Sequence, residues 1–221
     1  TMRNKDGHVV QGFYGVANPQ ATWRTRLMAA ALAIFHHLRP LGRCAFGGTA
    51  GLKGNGMLFH KSVLLAYGWP AFSNVEDVEF TAILALDGVP VLYAPNACVY
   101  GEMPTTRAQA QIQRSRWEGG RLALLRNYAP KLLKSFLKRP RSLTKDMLLD
   151  ILTPPLGTLV ALQATLAVCA FLLGILSLGW GGLGMLIVSL VYVVSGLWLH
   201  REPPCVWLAL TCAPFYIAWK G

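Results

Sequence analysis

The stretch Gln113-Arg114-Ser115-Arg116-Trp117 carries an amide, two guanidinium groups and an indole in consecutive reach of one another. In a helix the i, i+3 and i+4 positions share a face, so Gln113, Arg116 and Trp117 point the same way. A guanidinium grips phosphate through paired hydrogen bonds, and an indole lies flat on the apolar face of a pyranose. The trio therefore suits a ligand with both a diphosphate and a sugar ring. Upstream, Glu76-Asp77 offers paired carboxylates. Of these Asp77 is the candidate base, able to take a proton from an attacking hydroxyl once burial has raised its basicity. Each group also has a plainer reading. Acidic residues in a first helical turn commonly just offset the helix dipole, and a Trp at helical spacing is usually core while Arg116 can be a surface residue. Arg107, Arg114, Arg116, Arg121 and Arg126 have Glu118 as their main acidic partner, an imbalance that points to an anionic ligand or to lipid headgroups.

The elements that must hold these groups are legible in the pattern. Val9 to Val16 reads as a strand closed by Asn18-Pro19. Trp23 to Leu38 reads as a packed or interfacial helix ended by Pro40, with His36 and His37 favouring its C-terminus rather than forming a metal pair. Phe46 to Gly56 is a glycine-rich loop without the spacing of a P-loop, and its glycines let backbone approach a ligand closely. Met57 to Tyr67 is expected to be helical or strand-turn-helix. Ser73-Asn74 is expected to cap a helix that carries Glu76, Asp77 and Glu79 in its first turn and stops at Asp87-Gly88. Val89 to Tyr93 and Ala97 to Tyr100 read as short strands, and Pro104-Thr105-Thr106 opens the helix of Gln113, which is expected to run to about Tyr128.

Composition divides the chain. It has 221 residues, 53% hydrophobic and only 14% charged, with mean hydropathy +0.39, where ordinary soluble domains are about 25% charged. Residues 1–150 look like a mixed globular segment and residues 151–221 like membrane. Leu156 to Leu178 and Gly179 to Leu199 are each expected to span a bilayer, joined by a short external turn around Gly179-Trp180-Gly181-Gly182, with a third span possible over 205–219. The net charge of +11 invites a nucleic-acid reading. However, Lys131, Lys134, Lys138, Arg139, Arg141 and Lys145 cluster just before the first apolar span, where anionic headgroups and the positive-inside rule account for them. The cysteines, Cys44, Cys98, Cys169, Cys205 and Cys212, have no metal-site spacing. Thr1 to Gln11 is polar, with no signal peptide and no initiator Met, and the chain reads as a piece whose beginning lies elsewhere.

The order of parts resembles membrane-bound family 2 glycosyltransferases, the group of cellulose and hyaluronan synthases and of bacterial exopolysaccharide enzymes. The motifs that carry the likeness are Gly54 to Phe59, Val75-Glu76-Asp77-Val78-Glu79-Phe80, Tyr93-Ala94-Pro95 and Gln113-Arg114-Ser115-Arg116-Trp117, followed by apolar spans. The resemblance implies a partial α/β, GT-A-like (nucleotide-diphospho-sugar transferase) domain followed by α-helical transmembrane segments. Residues 1–128 would be the acceptor-side part, 129–150 a basic juxtamembrane segment and 151–221 the membrane region. It implies Asp77 as base beside Glu76. Gln113, Arg114, Arg116 and Trp117 would bind donor diphosphate and acceptor sugar, and the loop of Lys53, Gly54 and Asn55 would line the acceptor side. Two departures stand out: Val75 replaces the usual Thr, and no D-x-D motif is present. The divalent Mg or Mn of the complete enzyme would then have its ligands in a donor-binding half that this chain lacks, leaving the chain alone inactive. The implied partners are a UDP- or GDP-linked sugar, a glycan or lipid-linked acceptor, membrane lipids and polysaccharide-export proteins, with no nucleic acid. The implied location is the bacterial inner membrane, multi-pass, with the catalytic part cytosolic. The competing expectation is a non-catalytic anchor or translocation module, or an inactive truncated remnant.

Overall fold

The computed structural model describes residues 8–220, with side chains described for 8–216. The strand β1 (Val9–Val16) lies at the centre of a three-stranded sheet. It pairs antiparallel with β2 (Met57–Phe59) and parallel with β3 (Val91–Gly101). Most of β1 is buried, as expected of a strand covered on both faces. Expected as two strands, Val89–Tyr93 and Ala97–Tyr100 fuse into the one strand β3. Its register jumps from Gly12↔Ala94 to Phe13↔Cys98, so that Pro95, Asn96 and Ala97 bulge outward. Proline has no N–H to give a ladder, and the bulge absorbs it. Only glycine fits opposite, since a Cβ on Gly12 would sit 2.5 Å from the Ala97 carbonyl oxygen.

The first helix runs further than the sequence suggests. α1 (Trp23–Leu32) passes through a π-helical turn, Ala33–Leu38, into α2 (Arg39–Ala45). Pro40 does not end the helix; it sits in the first turn of α2, where the missing N–H costs nothing. His36 and His37 act as sheet fasteners rather than dipole partners. His36 Nδ1 donates to the Tyr14 carbonyl at 2.8 Å, and the Tyr93 hydroxyl donates to the His36 carbonyl at 2.7 Å. That hydroxyl then accepts from His37 Nδ1 at 3.0 Å, the tautomers following from these partners. Burial, and then the charge of Lys53, pushes the His36 pKa down to about 3, so it is neutral.

After the loop and β2 come α3 (Lys61–Tyr67) and α4 (Glu76–Asp87). Gly88 ends α4 in the left-handed conformation, as its sequence position suggests. The expected Ser73-Asn74 cap is different: Val75 is the N-cap residue and has no side-chain cap bond. Ser73 instead gives its backbone N–H to the Glu79 carboxylate at 3.2 Å. The next helix, α5 (Arg107–Lys138), is capped by Thr106 and continues ten residues past Tyr128 through Pro130. α6 (Ser142–Leu152) packs back on α4 and α5 through Met147, Ile151, Leu132, Leu124 and Ala82.

The apolar C-terminal region also departs from expectation. α7 (Leu156–Leu172) and α8 (Leu176–Leu199) turn at Leu173-Gly174-Ile175, not at Gly179–Gly182. Gly179 and Gly182 lie inside α8 and receive α7: a Cβ there would meet Phe171 at 2.6 Å and Ala167 at 2.8 Å. α8 has 24 residues and a mean hydropathy of 2.1 over its most apolar window, long enough at 1.5 Å per residue to cross about 30 Å of hydrocarbon. It is the one helix among the described residues that meets the length and apolarity of a span by itself. The 17 residues of α7 fall short, and α6 with α7 meet the test together only across a 66° bend. The stretch expected as a possible third span is broken into α9 (Pro204–Ala209), a 3₁₀ turn and α10 (Ala213–Lys220). The C-terminal end of α8 packs on the π turn, with Leu197 fully buried in one cluster with Leu32 and Ile34.

Candidate active site

Asp77 sits in the first turn of α4, half-buried, with Oδ1 accepting the Val78 N–H at 2.8 Å. Its other oxygen faces the glycine loop: a Cβ built on Gly54 would lie 3.6 Å from Oδ2. Gly54 has φ +79, so the loop turns in the left-handed region as it passes the carboxylate. Burial raises the Asp77 pKa above its ordinary value and outweighs the opposing pull of the Val78 N–H and of Lys53. A carboxylate with raised pKa is a stronger base than a solvated one, so the position has what proton abstraction needs. Glu76 lies beside it, also half-buried.

Two residues that the sequence reading passed over hold the loop in place. Gln11, fully buried in β1, accepts the Lys53 N–H through Oε1 at 2.9 Å and donates to the Asn55 carbonyl through Nε2 at 2.7 Å. Thr81, one turn along α4 from Asp77, accepts the Leu52 N–H at 2.9 Å and donates to the Asp77 carbonyl at 2.9 Å. A polar residue at an inward strand position was the only available signal for Gln11, and Thr81 lies at i+4 from Asp77 on the same helical face.

Beneath the loop is a charge cluster that nothing in the sequence signalled, built from Arg39 and Arg43 of α2, Arg121 of α5 and two carboxylates of α6. Arg43 clamps Asp146 through Nε at 3.0 Å and Nη2 at 2.8 Å, and its Nη1 lies 3.1 Å from Asp150. Arg39 reaches Asp150 at 2.6 Å. Arg121 donates to the carbonyls of Asp150, Ile151 and Thr153 at the end of α6. Burial alone would raise the Asp150 pKa, but Arg43, Arg39, Lys53 and Arg121 together hold it below the usual carboxylate range. Lys53 is the amine that joins this cluster to Asp77. Burial pulls its pKa down to about 8 against the charges of Asp150 and Asp77.

The structure therefore gathers Asp77, Lys53 and Gly54, with the Asn55 backbone anchored beside them. It does not seat the helical motif against Asp77. Gln113 is partly buried, and Arg116 and Trp117 are exposed on α5, with no hydrogen bond or ion pair to Asp77 among the described residues. Arg114 is engaged by Tyr216, at 3.3 Å to its hydroxyl and 5.3 Å over its ring. The motif approaches the site through Gly120, where α5 crosses α4: a Cβ there would fall 2.7 Å from Val75, two residues before Asp77. Trp117 lies about 4.5 Å and Gln113 about 10 Å farther along the axis. Glu79 and Tyr128 fix the same crossing by a 2.9 Å hydrogen bond. No group of three or more His, Cys, Asp or Glu that could hold a metal occurs among the described residues, so these residues do not fit the divalent metal implied by the resemblance.

Among known proteins, the family model described as glycosyl transferase family group 2 aligns with residues 1–219. No curated protein and no solved structure matches the chain.

Proposed function

The chain belongs to glycosyl transferase family group 2, whose business is sugar transfer and whose fold is GT-A-like, and from this premise we propose an inverting transfer to an acceptor hydroxyl with Asp77 as the base. The hydroxyl oxygen of a glycan or lipid-linked acceptor attacks C1 of a UDP- or GDP-linked sugar. The C1–O bond to the diphosphate breaks as Asp77 takes the proton. Arg116 offsets charge on the leaving diphosphate, and Gln113 and Trp117 hold sugar and phosphate. The observation that carries this reading is the half-buried Asp77 carboxylate, with one oxygen fixed by Val78 and the other turned to the glycine loop.

The setting is a membrane surface, in exopolysaccharide synthesis on the cytosolic side of a bacterial inner membrane. α8 supports it, as do the apolar side chains left exposed along α7 and α8, among them Leu166, Leu172, Val188, Leu190 and Trp198. Lys131, Lys134, Lys138, Arg139, Arg141 and Lys145 are all exposed on α5, α6 and their junction, placed to meet anionic headgroups. In a multi-pass arrangement the α7–α8 hairpin would enter the bilayer while α5 and α6 lie on it.

The test is Asp77→Asn in the full-length protein, assayed in membranes for nucleotide release and sugar incorporation over a panel of nucleotide sugars. A loss of about 10³-fold or more in kcat with the fold intact is expected from removal of a general base that also orients the acceptor. Undiminished transfer by Asp77→Asn would overturn the assignment and favour a non-catalytic membrane module.

A further inference from the structure

We propose that the pocket between β1, β3, α1 and the C-terminal end of α8 binds a small zwitterion, in which a primary ammonium group stands a few bonds from a phosphate or carboxylate. The pocket shares no residue with the Asp77 site, and it would bind whether or not the chain transfers sugar. Its volume is about 210 Å³, below the about 300–1,000 Å³ of drug-sized sites. That leaves room for a small head but not for a nucleotide. Val16, Pro19, Ala29 and Pro203 make apolar walls, and Phe13 and Tyr100 bring rings whose centroids are 6.1 Å apart at 72°. An ammonium is attracted to the face of such a ring.

Two charged side chains line the pocket, Glu202 and Arg201. The Glu202 side chain is only 10% exposed, and no hydrogen bond reaches its carboxyl among the described residues. His200 Nε2 lies 3.7 Å from it, beyond hydrogen-bond reach. Burial and His37 push that imidazole towards the neutral form, and it stacks on Phe13 at 4.2 Å. The remaining titratable groups around Glu202 are Tyr100 on β3, which feels its charge, His37 in the π-helical turn, and Cys205 of α9, which accepts from Gln20. Backbone bonds fix Glu202 in place: its N–H donates to the Leu197 carbonyl at 3.0 Å, and its carbonyl accepts from Trp207 Nε1 at 3.1 Å. A buried carboxyl without a donor carries a desolvation cost until a cation arrives. An ammonium supplies N–H donors and the counter-charge together. A bare cation would meet the guanidinium of Arg201, which is exposed and has no ion-pair partner among the described residues. A zwitterion matches both, with its ammonium on Glu202 and its anionic group on Arg201. The pocket lies at the end of α8, close in sequence to the exposed Trp198, so a phospholipid head and a free compound both offer this chemistry.

The test is equilibrium dialysis of the full-length protein in detergent micelles with labelled glycerophosphoethanolamine, whose phosphate diester and ammonium keep their charges from about pH 6 to about pH 8. Burial raises the Glu202 pKa to about 7, so the carboxyl is mostly protonated at the lower pH and mostly ionised at the higher. Affinity is therefore expected to rise about tenfold across that range. Glycerophosphocholine, a cation without N–H donors, and glycerol 3-phosphate, which has no ammonium, are expected to bind at least about tenfold more weakly. Glu202→Gln is expected to abolish the pH dependence and most of the binding. Arg201→Gly, which suits the left-handed φ of 56 at that position, is expected to weaken binding about tenfold. No binding at millimolar probe, a pH-independent affinity, or equal binding of glycerol 3-phosphate would overturn the proposal, and these outcomes need no variant to fold. Wild-type affinity in a folded Glu202→Gln would overturn it as well. Displacement of the probe by phosphatidylethanolamine vesicles, but not by phosphatidylcholine vesicles, would assign the ligand to the bilayer; displacement by soluble zwitterions alone would assign it to a free compound.

Discussion

Replacing Gly120 by alanine adds one carbon at the point where the helix of the Gln113 motif crosses the helix of Asp77. That carbon would lie 2.7 Å from Val75 Cγ1 and 3.0 Å from Cγ2, where ordinary carbon contacts need about 3.5–4.0 Å. Val75 is buried and branched at Cβ, so it cannot swing away, and α5 must back off by about 1 Å. In stability the change nearly cancels. Alanine gains about 1 kcal/mol over glycine inside a helix, and overpacking costs about 1–3 kcal/mol. In activity it does not cancel, because a displacement of about 1 Å between reacting groups costs on the order of 100-fold. Gly119→Ala is the matched control: a Cβ there meets nothing within 4 Å, so it gains helix propensity without moving α5. Steady-state nucleotide release in membranes, paired with thermal melts, reads both quantities. The expectation is a fall in kcat/KM of about 100-fold for Gly120→Ala against wild-type values for Gly119→Ala. Equal activity in the two variants would refute the idea that this crossing positions the motif.

Gln11→Leu deletes the strut of the glycine loop and leaves the Lys53 N–H and the Asn55 carbonyl without the bonds of 2.9 and 2.7 Å that they now make. A loss of about 1–3 kcal/mol is expected, read as a lowered melting temperature with faster proteolysis inside residues 46–56; an unchanged melt would show that the loop holds itself. Glu202 predicts a pH dependence. Burial raises its pKa from 4.5 to about 7, and His200, 3.7 Å away, is itself pushed towards the neutral form by burial and by His37. The folded state then holds this proton longer than the unfolded one, so its contribution to stability is full below about pH 4.5 and lost as pH rises to about 7. Melting temperature should fall across that window in wild type and lose this fall in Glu202→Gln; parallel curves would refute the assignment.

The parts of this molecule that sequence made legible are those governed by local chemistry. The apolar run of Val9 to Val16, the acidic first turn of α4 and its Gly88 stop all reflect short-range preferences, and all lie where expected. Tertiary contact decided the rest. Pro40 looked like a terminator because its tolerance in a new first turn depends on the π-helical turn before it. Gly179 and Gly182 looked like a turn because close packing against Ala167 and Phe171 leaves the same signature as flexibility. Asp146 and Asp150 stood in a basic run and gave no sign of their partners, which lie about a hundred residues earlier on α2. Within the candidate site, Asp77 and the Lys53–Asn55 loop were visible through motif order. Gln11 and Thr81 were not, since what they do is bind backbone that is distant in sequence.

The junction of α8 with the π-helical turn has a mechanical consequence. Leu197 is buried against Ile34, His36 two residues later is tied to Tyr14 in β1, and the same turn receives the Tyr93 hydroxyl from β3. The greasy rod and the sheet that frames Asp77 are thus one lever with no slack joint between them. If α8 crosses the bilayer, the height of the carboxylate above the lipid is set by a fixed length of protein, as by a gauge block. Such a device meets acceptors at a single depth, and a thinner or thicker membrane would tilt the lever and move the working edge with it.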